Sequence, residues 1–287
     1  MSRALSVHVF WKRRARRFVL PIGGLVITGF MLLPIYFTVE TSLEPTSALQ
    51  ALSQTFVPSH FILSNYRVAF DQEHGSIITS LLIALGAVVL SVGIALPAAY
   101  GLTKLGYLRN RAVVSIAILV LLITQMVPGI SLTLAFYKLF LHFHLLNSIA
   151  GLILADSTNG MPFAALVLRA YMGSIPIELS DAAYVDGASE WRTFRSVIAP
   201  LMLPAIITAG LFVFLFAWGD FLYAYTLTAG GNVTPLTKGL LSFFANNTVN
   251  WGPVLATVVL AAIPSGLILS FGQRYVMGGL RAGALKG

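Results

Sequence analysis

Two carboxylates, Asp156 and Asp220, stand inside long apolar runs, where an ionisable group is costly and normally faces a protein interior or water. Asp220 has aromatic neighbours in Trp218, Phe221, Tyr223 and Tyr225. A carboxylate accepts hydrogen bonds from hydroxyls and aromatic faces stack on sugar rings. Trp218, Asp220, Phe221 and Tyr223 are therefore candidates for lining a pathway or binding surface within the protein. Asp156 is read as structural. His142 and His144 form a His-x-His pair, but on a helix they point to opposite sides and no third ligand is near in sequence, so no metal site is assigned. The chain has no cysteine, hence no disulfide framework and no thiolate nucleophile or ligand. No Ser/His/Asp set or paired carboxylates suggest hydrolysis, and no Gly-x-x-x-x-Gly-Lys-Ser/Thr loop is present to hold a nucleotide phosphate. The chain is not expected to be an enzyme.

The elements that must position these residues follow from composition. Of 287 residues 57% are hydrophobic and 10% charged, with mean hydropathy +0.85. A water-soluble surface needs roughly a quarter charged residues, so much of this chain must face lipid. Apolar runs of about 20 residues, separated by charged or Pro/Gly/Asn-rich punctuation, predict six transmembrane helices near 18–39, 77–103, 112–140, 149–172, 201–227 and 254–276. The third contains Met126-Val127-Pro128-Gly129, and its proline should bend or break it. Gly86, Gly93 and Gly101 along the second suggest close helix packing. The expected fold is all-α and polytopic, with a basic N-terminal head (1–17), a membrane domain (18–276) and a short C-terminal tail (277–287).

Orientation follows from the basic residues. With the N-terminus inside, every Lys and Arg except Arg67, Lys138 and Lys238 falls on the cytoplasmic side, which predicts both termini there. The net charge of +8 is thus accounted for by topology, and no basic stripe interleaved with aromatics remains for nucleic acid. The basic head and first apolar run have the outline of a secretory leader, but the run is too long and Glu40-Thr41-Ser42-Leu43-Glu44 offers no small-x-small cleavage site, so a retained first span is expected. Residues 40–76 then form an external segment of mixed character.

The longest cytoplasmic connection, 173–200, carries the strongest local pattern. Ser180 is expected to cap a helix starting at Asp181, Gly187 to end it, and a second helical turn to carry Trp191, Phe194 and Val197. Ala182, Ala183 and Ala188 would be small knobs permitting close approach by a partner. Asp181 and Asp186 also have a simpler reading as exposed charges near helix starts.

These residues resemble the cytoplasmic EAA loop of ABC-importer permeases, a pattern of Glu-Ala-Ala, two residues, Asp-Gly-Ala, then Phe, an aliphatic residue and Pro. Here the positions are Asp181-Ala182-Ala183, Asp186-Gly187-Ala188, Phe194, Val197 and Pro200, with Asp replacing the first Glu. Phe216-Ala217-Trp218-Gly219-Asp220-Phe221 is similar to the Trp-Asn-Glu/Asp-Phe signature of the carbohydrate-uptake class, with Gly219 in place of Asn. The ending Gly279-Leu280 to Gly283-Ala284-Leu285-Lys286-Gly287 resembles that class's tail.

The resemblance implies a type I importer fold resembling the second permease subunit of maltose transporters, in a bacterial or archaeal-type cytoplasmic membrane. It also implies a homologous second permease, two ATPase subunits that use ATP and Mg, and an extracytoplasmic solute-binding protein. This chain itself would bind no cofactor and no metal. Asp181, Ala182, Ala183, Asp186, Gly187, Ala188 and Phe194 would couple it to an ATPase through a helix spanning 181–194. The competing class is an ion-coupled secondary carrier using Asp156 and Asp220, which predicts an internal repeat that the sequence does not display.

Overall fold

The computed structural model describes residues 2–45, 61–107, 111–244 and 250–284, and among these every regular element is helical. In chain order the helices are α1 (Ser2–Ser42), α2 (Ser64–Tyr107), α3 (Arg111–Met126), α4 (Gly129–His142), α5 (Ile149–Met172), α6 (Glu178–Val185), α7 (Glu190–Thr193), α8 (Ala199–Leu201), α9 (Leu203–Trp218), α10 (Leu222–Leu227), α11 (Leu236–Gly239) and α12 (Trp251–Ala284). A π turn, Phe194–Ile198, joins α7 to α8, and a 3₁₀ turn, Leu240–Phe244, follows α11. Four helical stretches are long and apolar enough to cross a membrane: Val19–Ser42, Ser64–Lys104, Ile149–Met172 and Trp251–Tyr275. Two further helix pairs are sharply bent, α3 with α4 at 92° and Glu190–Leu201 with α9 at 72°, and the number rises to as many as six if each pair counts as one span.

The expected third span is thus broken at the proline the sequence marked. Pro128 has no N–H to continue the ladder; Val127 bonds back to Thr124 O, and Ser131 and Leu132 restart from Pro128 O. Two other spans differ from expectation. The second helix begins at Ser64 rather than near 77, because the polar turns around Asn65–His74 continue the helix although their hydropathy marks them as a connection. The fifth is not continuous to 227: α9 stops at Trp218, and the chain turns at Gly219-Asp220 before α10. At the ends, α1 runs from Ser2 through residue 18 without a break and α12 runs past 276 to Ala284, while Arg109 and residues 285–287 of the tail lie outside the described residues.

The chain divides into two compact units, one of residues 1–70 and 248–259, the other of residues 71–247 and 260–287. In the first, the turn after α1 is tied to the start of α2. Asn65 Nδ2 donates to Ser42 O and Glu44 O, both at 2.9 Å, and the Ser42 and Tyr66 hydroxyls share a hydrogen bond of 2.7 Å.

The second unit is assembled on small residues. Along α2, Ala84, Ala87, Ser91, Ala95 and Ala99 are buried at helical spacing, while Leu82, Leu85, Val89 and Ile94 are exposed. This reverses the pattern of a soluble helix: large apolar side chains meet lipid and small ones let backbones approach. Ala164 and Leu168 of α5 and Ala205, Ala209, Val213 and Phe214 of α9 complete the same core. At Gly160 a Cβ would fall 2.8 Å from Ser91 Oγ and 2.9 Å from Val213 Cγ1, so hydrogen is the only side chain that fits as packed. Of the three glycines expected at a seam, Gly86 abuts Ile153, whereas Gly93 and Gly101 face open space. Gly160→Leu should therefore lower stability by about 1–3 kcal/mol through overpacking, while Gly93→Leu leaves it near wild type. Thermal unfolding of the two variants in mild detergent, side by side, checks the difference.

Candidate functional site

The connection between α5 and α9 folds as two short helices around a glycine, as its sequence suggests, with one change of register. Ser180 does not cap the first helix, because α6 already begins at Glu178, two residues after Pro176, and Ile177 is its cap without a side-chain bond. Glu178 and Asp181 occupy its first turn, where the helix dipole favours negative charge. Gly187 ends the helix with φ +77°, a conformation that L side chains rarely adopt, and no neighbouring atom would obstruct a Cβ there. The second helix, α7, is capped by Ser189, whose side chain accepts from Arg192 N at 3.4 Å.

This geometry sorts the sequence-marked residues. Asp181, Ala182, Asp186 and Gly187 are exposed, and Ala183 and Ala188 are half-buried. Val185, an apolar residue, is 88% exposed, and Trp191 is 65% exposed. The loop therefore presents an open surface of small, acidic and apolar side chains. Phe194 does not belong to that surface: it is buried, with its ring centroid 5.0 Å from Tyr100 and 5.5 Å from Trp191, and it anchors the loop to the bundle.

Glu190, which no local pattern singled out, gathers donors from two other helices. Tyr100 Oη donates to Oε1 at 2.7 Å; Oε2 accepts from the Lys104 ammonium and from Tyr184 Oη at 3.0 Å. The Lys104 hydrogen bond, then that of Tyr100, holds the Glu190 carboxyl below the usual carboxylate range. Its donors on α2 lie 86 and 90 positions away in sequence, beyond the reach of any pattern within the loop.

The second set of residues is not gathered at one point. Trp218 is buried in the α2–α5–α9 core, stacked on Phe214 at 5.6 Å, and its indole N–H donates to Ala261 O at 3.2 Å. Tyr223 lies in a different cluster, edge-on to Phe136 at 5.7 Å, and its hydroxyl accepts from Asn159 Nδ2 at 3.4 Å. Phe221 is exposed and stacks on the exposed Tyr225 at 5.5 Å. Asp220 is half-buried between them; Oδ2 accepts the backbone N–H of Ala224 at 3.0 Å, and its own carbonyl accepts from Thr237 Oγ1 at 2.6 Å. Asp156 is buried within α5. His142 ends α4, and His144, at φ 54°, sits in the turn beyond it rather than on the opposite side of a helix.

A family model described as "Binding-protein-dependent transport system inner membrane component" matches residues 87–281. Among curated relatives, the trehalose transport system permease protein SugB of Mycobacterium tuberculosis is 32% identical over 91% of this chain and 95% of its own length. The diacetylchitobiose uptake system permease protein DasC of Streptomyces coelicolor is 29% identical over 93% and 96%. Among solved structures, a chain of a bacterial ABC transporter involved in the import of the acidic polysaccharide alginate superposes with a TM-score of 0.76 at 22% identity, over 91% of this chain and 98% of that one.

The carboxylate of Asp220 restrains the start of α10, so Asp220→Ala should cost about 1 kcal/mol, the usual loss for a side chain accepting from a helix-start N–H, whereas Asp220→Asn keeps an acceptor and most of the stability. Detergent melting curves of both variants distinguish them.

Proposed function

The chain belongs to the family of binding-protein-dependent transport system inner membrane components, and from that premise we propose that it carries a carbohydrate or related polyol-type solute inward across a bacterial or archaeal-type cytoplasmic membrane. It is a permease subunit of an ABC importer, a transport component rather than an enzyme, and its family works with ATPase subunits and a solute-binding protein. That membership removes the ion-coupled carrier as a competing reading. The solute class is supported by relatives whose names specify trehalose and diacetylchitobiose.

In the proposed assembly this chain pairs with a homologous second permease, both termini lie in the cytoplasm, and two ATPase subunits using ATP and Mg serve the pair. One ATPase subunit receives the loop of residues 181–194 in a surface cleft. The observation that carries this reading is the exposed face of α6 and its turn, with Ala182 and Asp186 outward, Asp181 exposed at the edge of that face and Gly187 turning the chain at positive φ. Ala183 and Ala188 keep the face shallow enough for close approach, and Phe194 anchors it from below. Closure of the ATPase pair would then reach the spans as a rigid-body displacement. Trp218, Asp220, Phe221 and Tyr223 are the proposed pathway residues, with Phe221 the exposed ring among them and Trp218 and Tyr223 shaping the wall from behind.

Purification of the tagged chain from its native membrane in mild detergent should recover a second permease and an ATPase subunit, with ATP turnover by the product. Recovery of the chain alone, under conditions that preserve other complexes, refutes the assembly. Gly187→Val places a β-branched side chain in the left-handed region at a cost of roughly 1–2 kcal/mol, enough to redirect the loop. Membrane insertion should persist while solute uptake is lost, as read by labelled-solute accumulation in cells.

A further inference from the structure

The docking loop is attached to the bundle in an uneven way. Behind α6 lies a cavity of about 220 Å³, lined by apolar Met172, Ile175, Ile177 and Ile198 and by Tyr100, Lys104 and Tyr184. A void transmits no displacement, since the atoms on its two sides are not in contact. At the edge of this cavity the α2 end and the loop do meet. The carboxylate of Glu190 takes hydrogen bonds from Tyr100 and Lys104 of α2 and from Tyr184 of α6. The Lys104 ammonium also lies 5.8 Å from the centre of the Tyr184 ring, and the Tyr100 ring packs on Phe194 just below.

We infer that Tyr100, Lys104 and Glu190 form a mechanical link that passes displacement of the docked α6–α7 loop to α2, and that they are positioning residues for coupled transport. The inference rests on the reading that an ATPase subunit docks on this loop. An exposed ion pair contributes little to stability, so the cluster is poorly explained as a staple. Its distinguishing property is geometric. Three donors from two helices converge on one carboxylate, which fixes the loop's distance and angle to α2 at the edge of the cavity. The aromatic layer of Tyr100, Phe194 and Trp191 provides the stiff base on which that carboxylate is held.

The test uses the complete importer reconstituted in proteoliposomes with its ATPase subunits, second permease and binding protein. Tyr100→Phe and Lys104→Gln are made on α2, outside the loop that docks, so failure of the link is separable from failure of docking. Both variants should retain ATPase subunits on co-purification and continue to hydrolyse ATP, while solute moved per ATP falls about tenfold, the equivalent of one charged hydrogen bond. Lys104→Arg should keep the coupling ratio, and Lys104→Glu combined with Glu190→Lys should recover most of what either charge reversal loses. An unchanged ratio in Tyr100→Phe and Lys104→Gln overturns the inference. A parallel fall in uptake and ATP hydrolysis, or loss of the assembled complex, overturns it too, by assigning these residues to folding or docking. If the unaltered chain fails to retain ATPase subunits, the docking reading on which the link rests is refuted instead.

Discussion

Lipid offers no hydrogen-bond partner to a backbone N–H or C=O and no hydrophobic reward for bringing two apolar helices together. A chain in that solvent must satisfy its backbone within each helix and gain cohesion from the closeness of contact between them. The buried stripe of Ala84, Ala87, Ser91, Ala95 and Ala99 on α2, facing Gly160 and Ala164 on α5 and Ala209 and Val213 on α9, meets that demand. Bulk is placed on the outside, where Leu85 and Val89 are exposed. The other features of the second unit hang from this seam: Trp218 reaches across from α9 to Ala261 O on α12, and the loop of residues 173–200 leaves and re-enters the bundle at Met172 and Ile198, both part of the same core.

The loop obeys a different economy, because most of its residues are exposed rather than packed into the bundle. Its outward residues are small, acidic or unexpectedly apolar, as with Val185, and its buried residues are Thr193, Phe194 and Ile198. A surface of that composition gains little by burial against its own chain and much by burial against another, where apolar area removed from water contributes about 25 cal/mol per Å². The positive φ of Gly187 keeps the two short helices at a fixed angle without tight packing around the turn.

Much of this was legible in the residues, and the exceptions have physical causes. The spans followed from apolar runs, the bend at Pro128 from a missing N–H, and the helix stop from Gly187. Ser180 was misread as a cap because a hydroxyl beside an acidic residue fits the pattern, yet Pro176 starts the helix a turn sooner. The turn at Gly219-Asp220 was hidden because apolar composition resumes at once in Leu222–Leu227, and composition does not record a change of direction. The early start of α2 was hidden because polar helical turns and polar connections look alike by hydropathy. Glu190 could not be found from within the loop, since Tyr100 and Lys104 are contributed by a distant span. Trp218 and Tyr223 share a short stretch of sequence but enter separate clusters, because the turn between them reverses which side of the chain faces inward.

The 92° bend between α3 and α4 has a consequence for hydration. A helix that ends at Met126 leaves the carbonyls of its last turn without their usual donors, and Met126 and Val127 are themselves exposed on the isolated chain. Unsatisfied acceptors at membrane depth persist only where protein or water covers them. The bend therefore marks a point at which the bilayer around this subunit is not continuous oil: either a neighbouring polypeptide donates hydrogen bonds there, or solvent reaches inward to that level. One imino acid thus helps to fix where along this span a hydrogen-bonding neighbour, protein or water, is required.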